Sequence, residues 1–270
     1  MASNLKTRII TALVLGGALF AVVLLLPPKA IIVVLSALVL MGAWEWSAFL
    51  RTSSVLWRTV YVLVIAALLP CAWYFTAHDP NRDIFMSITV AWWFAALCWI
   101  LLAPRRVARW SAALAGVLAL VPAWLALARM RIDLPRGAEW ILFAFLIVWM
   151  ADIGGYFFGR RLGRTKLAPT VSPGKTWEGV LGGFLLSAVI AIAASAWFEL
   201  PMGRFLALCL GVVAFSIVGD LTESLLKRYA GLKDSGSIFP GHGGVMDRID
   251  SVTAAAPVLY FGLTTLGLLA

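Results

Sequence analysis

Runs of about twenty apolar residues recur along this chain, and nothing else in the sequence restricts its fold so severely. They lie approximately at 8–26, 30–50, 56–77, 84–103, 109–128, 139–158, 179–198, 204–221 and 252–270. A bilayer core about 30 Å thick is crossed by about 20 helical residues at ~1.5 Å each, so each run can span. Lipid offers no hydrogen bonds to an open backbone, and the runs lack the polar–apolar alternation of a barrel strand. The expected fold class is therefore all-α: a polytopic integral membrane protein of about nine transmembrane helices. A mean hydropathy of +0.95, with 62% of residues hydrophobic, excludes an ordinary soluble domain of this length.

The first run, in MASNLKTRIITALVLGGALFAVVLLLPP, has the basic start and apolar body of a secretion signal. Its apolar stretch is long, however, and LLLPPKA leads straight into the next run. A retained first helix is expected.

Charge sets the orientation. If the N-terminus is cytoplasmic and the spans alternate, the cytoplasmic segments hold Lys6, Arg8, Arg51, Arg58, Arg105, Arg106, Arg109, Arg160, Arg161, Arg164, Lys166, Lys175, Lys227, Arg228, Lys233 and Arg248. The opposite side holds only Lys29, Arg82, Arg129, Arg131, Arg136 and Arg204. Cytoplasmic loops collect Lys and Arg, so a cytoplasmic N-terminus is predicted, with both large polar loops, 159–178 and 222–250, facing the cytoplasm. The net charge of +9 is then mostly a topology signal, one that also suits an anionic leaflet and anionic substrates. No nucleic acid partner is expected, because the cations are scattered over several loops. Cys71, Cys98 and Cys209 lie in or beside apolar runs, with the spacing of neither a zinc site nor a disulfide framework.

The chain changes character near residue 130. Residues 1–130 keep charge near the ends of spans and are rich in interfacial tryptophan; they read as a transmembrane scaffold region. Residues 131–270 read as a transmembrane catalytic region carrying the two polar loops. Within the first region, Glu45 in GAWEWSAF is expected to snorkel from the end of the second span toward water. His78, in AHDPNRD, reads as a solvated loop residue.

Three polar clusters carry chemistry. The first is WMADIGGYFFGRRLGRTKLAPTVSPGKTWEG. Asp152 falls inside an apolar run, where a carboxylate needs a partner or a wet cavity. Gly154, Gly155 and Gly159 allow another backbone to come close. Lys166, Ser172, Lys175, Thr176 and Glu178 follow. SPGKT lacks the glycine spacing of a phosphate loop, yet its lysine and hydroxyls suit phosphate; an ordinary loop opening the next helix is an equal reading. The second cluster is GDLTESLLKR. On a helix, Asp220, Glu223, Ser224 and Lys227 share one face, and a Glu223–Lys227 ion pair is the plainer alternative.

The third cluster, KDSGSIFPGHGGVMDRID, gathers Lys233, Asp234, His242, Asp247, Arg248 and Asp250 in one short loop. Asp247 and Asp250 stand three apart, and with Asp220 they offer hard oxygen donors near a membrane surface. Magnesium favours such donors and needs only one or two protein carboxylates. Lys233, His242 and Arg248 add positive charge or donors. A single histidine and no cysteine cannot complete a usual zinc site. Ser235 or Ser237 with His242 has the composition of a hydrolase, but no nucleophile elbow is present. Metal-binding acids among phosphate-binding cations, at the edge of a membrane, point to phosphoryl or nucleotidyl transfer on a lipid.

The stretch SLLKRYAGLKDSGSIFPGHGGVMDRID resembles the signature of CTP:phosphatidate cytidylyltransferases, the CDP-diacylglycerol synthases. That pattern has Ser, Lys-Arg, Lys-Asp, a small residue, Pro, His-Gly-Gly and Asp-Arg-x-Asp, all present here. KLAPTVSPGKTWEG resembles the family's upstream block, with Gly174 where lysine is common. The resemblance implies the condensation of CTP with phosphatidate to CDP-diacylglycerol and pyrophosphate, with Mg2+ required. It also implies a homodimer in a bacterial plasma membrane whose active site faces the cytoplasm. It implies Asp220 and Asp247 as metal ligands, with Asp250 in support. Lys227, Arg228, Lys233, Asp234, His242 and Arg248 would act with them around the reacting phosphates. Asp152, Lys166, Ser172, Lys175, Thr176, Glu178, Glu223 and Ser224 would bind substrate. A CTP-dependent kinase of a polyprenol-type lipid is the alternative enzyme, and an ion-coupled transporter the alternative from another class.

Overall fold

The computed structural model describes residues 2–238 and 243–269, with side chains from residue 14 onward. Nine α-helices account for nearly all of the described chain: α1 (Ala2–Leu25), α2 (Pro28–Trp46), α3 (Val55–Phe75), α4 (Asp79–Leu102), α5 (Arg109–Asp133), α6 (Gly137–Leu162), α7 (Trp177–Trp197), α8 (Met202–Ala230) and α9 (Met246–Thr265). They stand where the nine apolar runs are. The segments from α2 to α8 are long and apolar enough to cross a membrane; α1 contributes the shorter apolar stretch Val14–Leu25. Turn chemistry sets several boundaries. Pro27 and Pro28 open α2, and Pro80 sits in the first turn of α4, where a missing N–H costs nothing.

One departure from an all-helical reading lies in the loop after α6. Strands β1 (Lys166–Ala168) and β2 (Ser172–Thr176) pair antiparallel, with Lys166 opposite Thr176 and Ala168 opposite Ser172. The pair is too short, and too glycine- and proline-rich, to show as alternation in the sequence.

The chain forms two compact units. One comprises Met1–Phe75, Val107–Leu142 and Leu226–Asp250. Within it α5 packs against α2 and α3. Alanines line the inner side of α5 (Ala112, Ala115, Ala119), and each is essentially inaccessible. Small side chains let bulky neighbours close in: Trp46 Nε1 donates to the Ala112 carbonyl at 2.9 Å and the Tyr61 hydroxyl to that of Ala113 at 3.1 Å. Polar ring atoms are thereby satisfied where no water reaches them.

The other unit comprises Thr76–Arg106, Phe143–Leu225 and Ser251–Ala270. In it α6 and α7 meet along glycines, as expected for Gly154, Gly155 and Gly159. A Cβ on Gly183 would lie 2.8 Å from the Ala151 carbonyl oxygen, and one on Gly179 would lie 2.8 Å from that of Gly155. Gly155 and Gly159, four residues apart, face Gly179, and Gly154 faces Gly182 and Gly183, the small-residue arrangement that brings membrane helices into backbone contact.

Candidate active site

In the second unit, the hairpin is fastened to the start of α7. The Thr165 amide donates to both carboxylate oxygens of Glu178, at 3.1 and 3.2 Å, and the Trp177 amide donates to the Thr165 carbonyl at 2.9 Å. Thr176 caps α7, its hydroxyl accepting from the Gly179 amide at 3.2 Å. β2 is thus held along one edge by β1 and at its end by α7, and its Lys175 reaches α8, where the ammonium pairs with the Asp220 carboxylate. Ser224, one turn along α8, donates to the other Asp220 oxygen at 3.2 Å. The helical spacing expected of Asp220 and Ser224 is realised.

Beside this pair lies a cavity of about 500 Å³. Asp152, Gly155, Tyr156, Gly159 and Arg160 line it from one face of α6; Gly174, Lys175 and Thr176 line it from β2. Gly179, Val180 and Gly183 close it from α7, and Ile217 from α8. The α6 positions recur at three and four residues, so they form one stripe. Arg160 donates to the Tyr156 hydroxyl at 2.6 Å. A wall with two cations, one acid and bare glycine backbone suits an anion with a polar body. Asp152, an anomaly in an apolar run, thus lines a cavity.

In the first unit, Asp247 sits in the first turn of α9 and gathers four hydrogen bonds. One of its oxygens accepts from the Lys227 ammonium at 2.7 Å. The other accepts from the Ser235 amide, the Ser235 hydroxyl and the Gly244 amide, each at 2.9 Å. Its side chain is only 7% exposed and that of Lys227 12%. Burial alone would raise the Asp247 pKa. The Gly244 amide, Lys227 and the Ser235 amide outweigh it, so the carboxyl is held below its ordinary value and stays ionised. Gly243 has φ +79°, a left-handed backbone that turns its neighbour's amide onto Asp247 and that a Cβ resists.

Glu45 corrects the expectation drawn from the sequence. It does not snorkel: it is 4% exposed. Its carboxylate accepts from the Val245 amide at 3.0 Å and the Met246 amide at 2.8 Å, and the Ser235 hydroxyl, whose single proton it shares with Asp247, lies 3.0 Å away. A carboxylate between two tryptophans in an apolar run is costly without donors, and that cost was the available signal for a buried role. Ser235, weighed in the sequence only as a nucleophile, is instead a bridge between two carboxylates.

Other expected residues are placed as follows. Arg228, Lys233, Asp234 and Arg248 are exposed around the Asp247 cluster, and Lys166 is exposed on β1. Glu223 is buried on α8 at 1% exposure, and Asp250 is half-buried one turn beyond Asp247. Ser172 opens β2. His242 lies outside the described residues.

The donor set bears on magnesium. Among the described residues, no three His, Cys, Asp or Glu side chains converge into a cage made by protein alone. Magnesium does not ask for one: it takes one or two carboxylates and fills its octahedron with water and phosphate oxygens. Asp220 and Asp247 each offer one carboxylate of that kind, each beside a lysine counter-charge.

Comparison with other proteins places the chain. The sequence profile of the Cytidylyltransferase family matches residues 6–266. A Pseudomonas aeruginosa protein named phosphatidate cytidylyltransferase is 41% identical over 262 residues, covering 94% of this chain and 95% of its own. A Haemophilus influenzae protein of the same name is 35% identical over 278 residues, covering 94% and 96%. One from Brucella suis is 37% identical over 277 residues, covering 96% and 93%. A match running almost end to end, across both acid clusters and the helices that carry them, makes this chain a member of the cytidylyltransferase family.

Proposed function

We propose that this chain is a phosphatidate cytidylyltransferase, joining CTP to phosphatidate to give CDP-diacylglycerol and pyrophosphate. The observation that carries the reading is the pairing of Lys175 with Asp220 and of Lys227 with Asp247 in a chain built for a membrane. Each acid is held by a lysine that a phosphate can take over. Relatives matching nearly the whole chain bear the name of that activity.

The chemistry asks little of the protein in proton transfer. A phosphatidate oxygen is already anionic near neutral pH, the second phosphate pKa being about 6. That oxygen attacks the α-phosphorus of CTP. A P–O bond forms there as the bond to the bridging oxygen breaks, and pyrophosphate leaves in line with its electron pair. The obstacle is repulsion between two polyanions, so catalysis is positioning and charge stabilisation. Lys175, with Ser172 and Thr176, holds nucleotide phosphates at the wall of the cavity. Lys227, Arg228, Lys233 and Arg248 face the reacting phosphates, and His242 donates to a phosphate oxygen. Asp220 and Asp247, with Asp250 in support, would hold magnesium, which supplies positive charge to the triphosphate and its departing end. The protein works as a homodimer in the bacterial plasma membrane with these groups facing the cytoplasm, the orientation its Lys and Arg distribution supports.

Two labelled forms of CTP test this. With purified protein, phosphatidate in detergent micelles and magnesium, label at the α-phosphate should enter the organic-phase lipid, and label at the γ-phosphate should stay in water. Transfer of the γ-label to lipid would replace the reading with a kinase. Transfer of neither would remove it.

A further inference from the structure

Glu45 lies 190 residues before Ser235 in sequence, yet it holds the loop that carries Asp247. Three donors of that loop converge on its carboxylate, and both oxygens are used: Val245 N–H on one, Met246 N–H and the Ser235 hydroxyl on the other. Val245 and Met246 open α9, so Glu45 caps this helix from outside, with an anion where the helix dipole is positive. Ser235 couples the two acids, its single hydroxyl proton shared between them. Its oxygen is 3.0 Å from Glu45 and 2.9 Å from Asp247, and its own amide donates to Asp247 at 2.9 Å. The loop is also shaped around the carboxylate. A Cβ on Gly236 or on Gly244 would run into the Glu45 side chain, so both approach it as bare backbone.

We propose that Glu45 is a positioning residue for the transfer reaction: through Ser235 and the Val245 and Met246 amides, it fixes the orientation in which Asp247 faces Lys227. The inference rests on the cytidylyltransferase reading. Glu45 acts on Asp247 through a hydroxyl and two amides, and outer partners of this kind commonly govern 10–100-fold in activity.

Glu45→Gln tests it with shape nearly unchanged. Glutamine has one oxygen to accept with, and its amino group would face a backbone N–H. Expected is a fall in kcat of about 10–100-fold, with KM for CTP and for phosphatidate within about twofold and an unchanged elution profile in detergent. Ser235→Ala should lower kcat by the same route, and the double variant should fall no further than the worse single one. Losses that multiply would overturn the route through Ser235, and a full wild-type kcat in Glu45→Gln would overturn the role itself. Amide hydrogen exchange in both proteins separates this from the function. Exchange at Val245 and Met246 should quicken at least tenfold in Glu45→Gln, whatever reaction the wild type catalyses; unchanged protection there would overturn the inference even in an active enzyme. A wild type that makes no liponucleotide while those amides lose protection would overturn the assigned reaction and leave the loop contact standing.

Discussion

Replacing Asp247 with asparagine separates the two things its carboxylate does. The side chain keeps its size, and one oxygen can still face the Ser235 amide, the Ser235 hydroxyl and the Gly244 amide, all at 2.9 Å. The carboxamide nitrogen must then face the Lys227 ammonium, which now lies 2.7 Å from an oxygen. A donor meets a donor, and a cation that is only 12% exposed loses this carboxylate. Losing a hydrogen bond between charged groups costs about 1.5–3 kcal/mol, so the unfolding midpoint in detergent should drop by a few degrees while the protein still elutes as one species. The rate should suffer more. One preorganised electrostatic group is worth about 10²–10³ in kcat, and Asp247 also orients Lys227 toward phosphate. The assay is incorporation of α-labelled CTP into lipid at saturating substrates, read beside the midpoint. A midpoint down by a few degrees with turnover retained would refute the assignment, because the carboxylate would then matter only to folding.

Three further outcomes follow from the geometry. Gly243→Ala places a Cβ against the Asp247 carboxylate in a left-handed backbone, a conformation costing roughly 1–2 kcal/mol for other residues; turnover should fall at least tenfold, whereas the same change at the exposed Gly203, with nothing near its Cβ, should leave turnover as it is. Gly174→Lys should fold with an unchanged midpoint, because open space surrounds that position on the cavity wall, and it should lower KM for CTP severalfold by adding a cation; a raised KM would move the nucleotide phosphates elsewhere. The Asp247 carboxyl is held below its ordinary value near 3.8, so its contribution to stability is present above that pH and lost as pH falls through the depressed value. Midpoints of the wild type and Asp247→Asn should therefore run parallel from pH 5 to pH 8 and converge in stronger acid; a gap that widened on acidification would contradict the sign.

Much of this was legible because a bilayer leaves few options. Apolar runs must be helices there, and among the described residues each run coincides with a helix, seven of them long and apolar enough to cross. Local polar spacing was legible too: Asp220 and Ser224, four apart, do meet on one face of α8. Contacts made over long distances in sequence were not. That Lys227 would find Asp247 and Lys175 would find Asp220 depends on how helices and hairpin pack, which spacing does not encode. The hairpin stayed hidden because five residues of SPGKT carry no period. Glu45 shows the limit most plainly. A carboxylate at a span end is equally consistent with snorkelling and with burial, and only donors supplied by residues 235, 245 and 246 decide between them.

In the proposed reaction these acids and lysines bring two phosphate anions into direct contact, with no group of the protein standing between them. The stereochemistry at the α-phosphorus reports on this most directly. With a single diastereomer of CTP carrying sulfur on the α-phosphate, one in-line displacement by phosphatidate predicts inverted configuration in the liponucleotide. Retained configuration would require a second displacement through a covalent nucleotidyl-protein, and would contradict direct attack by phosphatidate.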